Sequence, residues 1–546
     1  MLIDLEKVAE PMATQNAAVC IAGAGIAGLV LATTLADAGI EVHLLEAGGR
    51  SLEDRSQQVY DAEMARLKHT GTTEGRFRVF GGSSTRWGGQ ILPLSQEVFT
   101  PGPDLSSSAW PITPDALEPF YSTIEQLFGT DHLPFTTEVY KALGIPAPPE
   151  LTLNPNFNLR FSKWAPFSHR NVARTLGQRA IASSKITIFL HANVTECLLS
   201  PDGSRIQALL VRNYRGDRFR FEAGQHVLAA GTIETNRLLL ASRSVCARGV
   251  GNAHGQVGRG IHDHVSAPVA ELSGEARQKL PAWLGPFFSG STRRTGRLEA
   301  STELRRRLDL LSVMAHITVE EPEDSGAFLA RQFLRFLQRG ELRSAILDTL
   351  PRLPAASLEI FRLAYYAKIR KRRALSPRAV VSLRVDCEQR PIPQNCIRLS
   401  DKTDSLDMPK AIVDWHAAAE EIRTLQRYAN WLRGEFDRLG VNGINWRQDL
   451  SSGAGVALGA LRDTNHLMGG AMMGMDPLRS VVDTNLRVHG LSNLFVASLS
   501  TYPAGGSSNP TFTLVALTLR LAERLKAVAA QPAASIRTRS AVLTAP

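Results

Sequence analysis

An α/β fold is predicted by three stretches of the sequence. Residues 18–46, AVCIAGAGIAGLVLATTLADAGIEVHLLE, read as strand, glycine turn, helix and second strand. Residues 226–242, HVLAAGTIETNRLLLAS, read as strand, turn at Gly231 and helix. Near the end, LFVASLSTYPAGGSSNPTFT (494–513) runs from an apolar strand through two glycines and two serines into Asn509-Pro510-Thr511, which opens an apolar helical pattern to 525. Strands for one sheet thus come from the start, middle and end of the chain, so a Rossmann-like domain is interrupted by a second one. The expected boundaries are 1–100 with 185–265 and 460–546 for the first domain. The remainder, 101–184 with 266–459, makes a second, discontinuous domain.

In the first unit, Gly23 allows the tight turn, Gly25 lets backbone approach a pyrophosphate, and Gly28 lets helix pack on strand. The helix N-terminus faces phosphates with its partial positive charge. Glu46, 21 residues past Gly25, stands where a carboxylate accepts ribose hydroxyls. A G-x-G-x-x-G alone is weak evidence; flanked by both strands and the acid, it predicts a dinucleotide site. Next comes RVFGGSSTRWGGQILPL (78–94), four glycines around two serines, a loop able to lie flat against a large planar group with Trp87 beside it. Those residues alone also fit a plain surface loop. IFLHANVTECL (188–198) reads as one further strand.

At 546 residues, 44% hydrophobic and 21% charged, the chain suits two globular domains. Its first residues lack a basic region followed by an apolar one, and no apolar run reaches membrane-spanning length, so a cytoplasmic, non-spanning protein is expected. The five cysteines, Cys20, Cys197, Cys246, Cys387 and Cys396, are scattered and form no metal or disulfide pattern. They are expected to be reduced and mostly buried. The net charge of +10 does not indicate nucleic acid: between 331 and 373, eleven Lys and Arg face three acids, concentrating the excess in one segment. There, from 326, Phe328, Phe333, Leu334, Phe336 and Leu337 are expected on one helix face and Arg331, Arg335 and Arg339 on another. A solvated outer face and a peripheral membrane contact both fit that pattern.

Taken together, GAGIAG, FGGSSTRWGGQ, VLAAGTIETNRLLLAS, VGRGIHDHV (257–265), EQRPIPQNCIRLS (388–400) and HLMGGAMMG with the final block to 525 resemble the glucose–methanol–choline (GMC) oxidoreductases. GGSSTRW and SAWPITPDALEPFY (108–121) look most like pyranose oxidases and bacterial sugar dehydrogenases. The resemblance implies a GMC, p-hydroxybenzoate hydroxylase-like FAD domain, a discontinuous α+β substrate domain containing an antiparallel sheet, and oxidation of an alcohol, most simply of a carbohydrate. It implies cofactor contacts at Gly23, Gly25, Gly28, Glu46, Gly82, Ser83, Ser84, Arg86, Trp87, Gly88, Gly89, Val194, Ala230, Gly231, Ser498, Pro510 and Thr511. Pyranose oxidases carry a flavin-linked histidine where Arg86 stands, so FAD is expected to be non-covalent. WAPFSHRNVART (164–175) lacks the cysteines that hold an iron–sulfur cluster in bacterial sugar dehydrogenases.

The resemblance also makes His466 of His466-Leu-Met-Gly-Gly the general base and Asn509 its partner on the substrate oxygen. Without it, His466 reads as a structural histidine and Asn509 as a helix cap. The helix 511–525, aimed at the flavin, would favour negative charge there. His262-Asp263-His264 has metal-compatible spacing but is expected to be structural, with no metal. Asn395 and Glu388 are expected in a strand pair closing the pocket, Arg86 and Gln90 near the flavin loop, and Met468, Met472, Met473 and Met475 in pocket wall or core. Two rival readings remain: oxidation of a lipid or polyprenyl-linked alcohol at the membrane surface, and a non-catalytic flavin-binding interaction protein. The electron acceptor, whether oxygen, quinone or protein carrier, is left open.

Overall fold

The computed structural model describes residues 1–8, 14–100, 110–352, 354–447 and 461–530. Ser108 and Ala109 of the sugar-type motif lie outside the described residues. Three sheets organise the chain. In the first, Leu2–Asp4, Ile186–Leu190, Val42–Leu45, Gln15–Ala22, Arg218–Leu228 and Leu494–Val496 follow one another in space, each parallel to its neighbours. The early part of Arg218–Leu228 also pairs antiparallel with Ile206–Arg212, which pairs with Asn193–Leu199. Helix Ile26–Asp37 is buried over Ala27–Thr33 and at Leu35, between the sheet and the C-terminal helix Thr511–Ala529. Its near-uniform apolarity suits burial on several sides. Gly28 is there because a Cβ would lie 1.8 Å from Gly23 O. The single strand expected at 188–198 is two, Ile186–Leu190 and Asn193–Leu199. They part at His191, whose φ of 54° is held by its contacts with Asp4 (2.6 Å) and Glu53 (3.1 Å).

The second large sheet is wholly antiparallel: Ile444–Trp446, His264–Leu272, Val380–Glu388, Val313–Glu320, Thr292–Ala300, Phe157–Trp164 and Gln90–Ile91, with Phe287–Ser289 on Thr292–Ala300. Helix Ala419–Arg438 covers one face through Leu425, Tyr428, Ala429, Leu432 and Phe436, spaced three and four residues apart. Between the large sheets lies a third, ordered Met468–Gly470, Arg259–His262, Cys396–Thr403, Pro409–Asp414, Ala62–Met64. Glu388 and Asn395 therefore are not a strand pair. Glu388 ends a strand of the antiparallel sheet and accepts Gly506 N–H, whereas Asn395 bonds the backbone of His416 from the turn before Cys396–Thr403. The five cysteines are free; Cys20, Cys197 and Cys387 are buried, and Cys246 and Cys396 partly so.

The basic segment contains helix Gly326–Arg339, capped by Ser325, whose hydroxyl accepts Phe328 N–H. Its covered residues are Gly326, Ala327, Leu329 and Gln338 rather than the expected aromatic row. The helix docks by hydrogen bonds: Gln338 Nε2 donates to Ser84 O and Trp87 O, and Asn171 Nδ2 donates to Gln338 O. The arginine face thereby turns partly inward, and Arg335 lines a cleft. Beyond it, Leu342, Ile346, Leu347, Leu358, Phe361, Tyr365 and Ile369 are exposed. No helix among the described residues is long and apolar enough to cross a membrane.

Candidate active site

A cleft of about 1160 Å³ runs from the glycine turn to the antiparallel sheet. At one end, Gly23, Gly25, Ile26, Ala27 and Glu46 line it. Gly23 has φ 108° and donates to Leu45 O at 2.7 Å; a Cβ on it would sit 2.5 Å from Ala229 O. A Cβ on Gly25, by contrast, would meet no protein atom within 4 Å. That space lies at the N-terminus of Ile26–Asp37, which has no side-chain cap, so its N–H groups are left for an anion. Glu46 accepts Ala24 N–H at 3.0 Å and Gly48 N–H at 2.9 Å, and burial pushes its carboxyl up to about 7. This end fits the pyrophosphate and ribose of a dinucleotide.

The cleft continues past Gly82, Ser83, Ser84, Arg86, Trp87, Gly88, Gly89 and Gln90 on one side and Ala230, Gly231, Ser498 and Thr511 on the other. The serine loop closes on itself as a tight turn, Gly82–Thr85, after Gly81 at φ 96°. Trp87 Nε1 donates to Arg170 O at 2.7 Å, and Gln90 Nε2 donates to Ser162 Oγ at 2.7 Å. Arg86 is paired with Glu341 at 2.7 Å. Gly28, Val194 and Pro510 do not line the cleft: Gly28 serves the helix–strand contact, and Val194 packs on the core of the nucleotide sheet. Pro510 takes the cap position of Thr511–Ala529 and accepts Tyr502 O–H at 2.8 Å. Asn509 is consequently no helix cap. Met468 and Met473 are core residues, Met475 is exposed, and none of the four expected methionines lines the cleft; Met314 does.

His466 and Asn509 meet at the far end, Asn509 Nδ2 lying 3.3 Å from His466 Nε2. The turn carrying His466 is anchored by two buried acids. Asp463 accepts Thr70 N–H (2.7 Å) and Gly71 N–H (3.0 Å), while Asp263 accepts His466 N–H at 2.8 Å. Between them Asn465 sits at φ 61°, a conformation Asn tolerates better than most residues. Gly469 and Gly470 follow because a Cβ on either would strike Gly260 O (2.3 Å) or Asn236 Nδ2 (2.4 Å).

Thr464 fixes the histidine tautomer. Its hydroxyl donates to Asp263 Oδ1 at 2.8 Å, so its 2.8 Å contact with His466 Nδ1 requires the imidazole to donate. The ring proton then sits on Nδ1, and the Nε2 lone pair points to Asn509 and the cleft. Burial, with the neighbouring His264 at 3.2 Å, lowers the His466 imidazole to about 4, so it is neutral at ordinary pH. Burial alone would raise Asp263, but the hydrogen bond from His69 (3.1 Å) and the surrounding imidazoles outweigh it and hold the carboxyl well below its ordinary range. Asn509 lines the cleft, and its Oδ1 is a buried acceptor without a hydrogen-bond partner among the described residues.

Asp263 thus belongs to this network, with His264 N–H, Thr464, His69 and His466 N–H all donating to it. Asp263, His264 and His466 lie close enough together to hold an ion, as do His69, Asp263 and Asp463, but Asp263 already accepts these protein donors at both oxygens. His262 is buried, bonded through Nδ1 to Gly260 O, and lowered to about 4 by burial. Thr464, Asp463 and His69 gave no sequence signal, because nothing in their spacing marks contacts between residues 69, 263 and 464.

Residues 391–518 match the family model for GMC oxidoreductases, and residues 16–78 match that for an FAD binding domain. The chain is 24% identical to the paromamine 6'-oxidase of Streptomyces fradiae and to the 6'''-hydroxyparomomycin C oxidase of Streptomyces lividus, in each case across 92% of this chain and 90% of the relative. It is 26% identical to the fructose dehydrogenase large subunit of Gluconobacter japonicus over 63% of this chain, spanning only 55% of that protein. Among solved structures, pyridoxine 4-oxidase from Mesorbium loti superposes with a TM-score of 0.57 at 16% identity, covering 93% of this chain and 99% of that one. Formate oxidase of Aspergillus oryzae RIB40 does so at 0.54 and 15%, covering 95% and 99%. The fold and site are those of an FAD-dependent oxidoreductase. The chain is an FAD-dependent oxidoreductase of alcohol groups that matches the GMC oxidoreductases over residues 391–518, and FAD is its cofactor.

Because the Gly25 Cβ would meet only ligand, Gly25→Val should fold but purify without yellow colour, whereas wild type releases its flavin into the supernatant on acid precipitation. Absorbance at the flavin band, alongside circular dichroism of both proteins, checks this. Full occupancy in the variant would place the phosphates elsewhere.

Proposed function

We propose that the chain oxidises an alcohol carbon of a sugar-like compound, with His466 as general base and Asn509 holding the substrate oxygen. In this reading residues 1–100, 185–265 and 460–546 hold the cofactor, without a covalent link, and 101–184 with 266–459 shape the substrate end. Bound FAD supplies the acceptor for the hydride leaving the alcohol carbon. The chain's own work concerns the proton. The hydroxyl hydrogen passes to His466 Nε2 as C–H and O–H break and C=O forms, while the Nδ1–H stays bonded to Thr464. The observation that carries this reading is the Nε2 lone pair facing Asn509 in the cleft. Ser266, His316, Arg384 and Asp386 on the antiparallel sheet add hydrogen-bonding groups suited to a polyol, in keeping with relatives named for fructose and paromamine.

A second reading, a lipid-linked alcohol taken at a membrane surface, is favoured by one feature. Leu358 (82% exposed) and Phe361 (71%) stand out with the other apolar residues between 342 and 369, beside a run of basic side chains. That feature also supports a peripheral site on the inner face of a membrane, and the free cysteines fit a cytoplasmic setting.

His466→Ala should retain FAD and reduce it anaerobically about 100-fold more slowly or worse with any alcohol that reduces wild type, as measured by stopped-flow absorbance. An unchanged rate would remove the base assignment. For the second reading, wild type should co-sediment with vesicles of anionic phospholipid at low salt and be partly released at high salt, leaving an apolar remainder that Leu358→Ser/Phe361→Ser abolishes. Wild type remaining in the supernatant at every salt concentration would confine the substrate to water.

A further inference from the structure

Five arginines line the cleft, and they divide sharply. Arg76 pairs with Glu234 at 3.2 Å and Arg86 with Glu341 at 2.7 Å. Arg297, Arg335 and Arg384 have no carboxylate within 4 Å among the described residues. We propose that these three bind an anionic group carried by the substrate, so that the alcohol oxidised is a carboxylate- or phosphate-bearing one, with Arg297 as the inner clamp. This rests on the reading of the cleft as an alcohol-oxidising site and narrows its substrate.

Arg297 carries most of the weight. It lies on strand Thr292–Ala300, is 5% exposed, and donates through Nε to Ser162 Oγ at 3.3 Å, while its Nη1 is buried with no hydrogen-bond partner among the described residues. Asp386 and Glu299 attract it at longer range but spend their hydrogen bonds on other groups: Glu299 on Arg160 at 2.9 Å, and Asp386 on His316 at 2.8 Å and Ser266 at 2.5 Å. A guanidinium taken out of water with an unmade hydrogen bond is costly, and cavities tolerate one where a ligand completes it. Burial lowers Arg297 to about 10, with Asp386 and Glu299 opposing, so it stays charged at neutral pH.

The surroundings reinforce it. Arg293 and Arg297 are four residues apart on one strand and share a face. Arg293 stacks 3.7 Å from the ring of Trp164, another cleft residue. Arg331 stands one helical turn before Arg335, and neither it nor Arg293 has an ion pair among the described residues. Burial lowers Arg170, Arg293, Arg331 and Arg335, and repulsion from neighbouring arginines adds to it: Arg335 and Arg331 on Arg170, Arg170 and Arg373 on Arg293, Arg373 on Arg331 against an opposing Glu321, and Arg331 on Arg335. The acids on this wall, Glu321 paired with Arg373 at 2.7 Å and Asp386 acting on Arg297, are too few to balance that charge. The cofactor's phosphates do not, because their cradle is at the glycine turn, whereas Arg297 and Asp386 are near enough to His466 to act on it electrostatically. A bidentate, planar fork such as Arg297's suits either a carboxylate or a phosphate.

The test titrates the FAD-loaded enzyme with inorganic phosphate and, separately, with malonate at constant ionic strength, reading the flavin difference spectrum. Saturable binding is expected, weakened about tenfold or more in Arg297→Met and unchanged in the remote Arg479→Gln. The tighter of the two probes assigns the anion as phosphate or carboxylate. Absence of saturation, or equal affinity in Arg297→Met, would overturn the proposal. So would a flavin potential shifted by Arg297→Met with anion affinity intact, which would make the guanidinium a tuner of the cofactor. Anaerobic reduction by glucose, gluconate, glucuronate and glucose 6-phosphate separates the two readings. If neutral glucose outpaces every anionic counterpart, the anion site falls and the oxidation stands. If phosphate binds through Arg297 but no alcohol reduces the flavin, the oxidation falls and the anion site stands.

Discussion

The site depends on one fully buried carboxylate. Asp263 receives backbone N–H from His264 and His466, the Thr464 hydroxyl and the His69 ring, joining residues almost 400 positions apart in sequence. A buried charge is stable only when so thoroughly bonded, and here the bonding also determines where the His466 proton resides. Remove the acceptor at Asp263 and the Thr464 hydroxyl is free to turn and donate to Nδ1, leaving the 3.3 Å contact from Asn509 Nδ2 to Nε2 alone to specify the tautomer. The strands Arg259–His262 and Met468–Gly470 pair on either side of this hub, so the small bridging sheet holds the chemistry between the two large ones.

The cleft is electrostatically divided. Around the glycine turn, backbone N–H groups supply the positive potential and the arginines are neutralised by Glu234 and Glu341. At the antiparallel sheet and the helix Gly326–Arg339, the potential comes from Arg297, Arg384 and Arg335, which have no ion pair among the described residues. The neutral His466 sits between, its imidazole kept uncharged by burial and by His264. An imidazole uncharged at working pH needs no prior deprotonation to accept a proton, and an anion bound by Arg297 would not be competed for by an imidazolium.

Much of the fold was legible because periodicity and glycine placement act locally. Gly23 and Gly231 mark the turns they were expected to mark, Gly28 makes the close helix–strand contact expected of it, and the separated βα units converge on one parallel sheet. The misreadings arose where tertiary contacts prevail. The strand at 188–198 breaks because His191 is pulled to Asp4 and Glu53; the apolar row on Gly326–Arg339 is half-exposed because Gln338 docks that helix instead. At the site, the sequence pointed to His466 and Asn509 through family resemblance, and the structure brings them together. It offered no hint of Thr464 or His69, whose roles exist only through contacts from distant segments. Nor could a count of arginines distinguish the paired Arg86 from the unpaired Arg297.

The most direct test of this account is the tautomer of His466. In the FAD-loaded protein with 15N-labelled histidine, long-range proton–nitrogen correlation, assigned by loss of the signal in His466→Gln, reports which ring nitrogen bears hydrogen. The account predicts a neutral ring at pH 7, protonated at Nδ1 and bare at Nε2, that gains its second proton only as pH falls toward about 4. A proton on Nε2, or an imidazolium at pH 7, would contradict it.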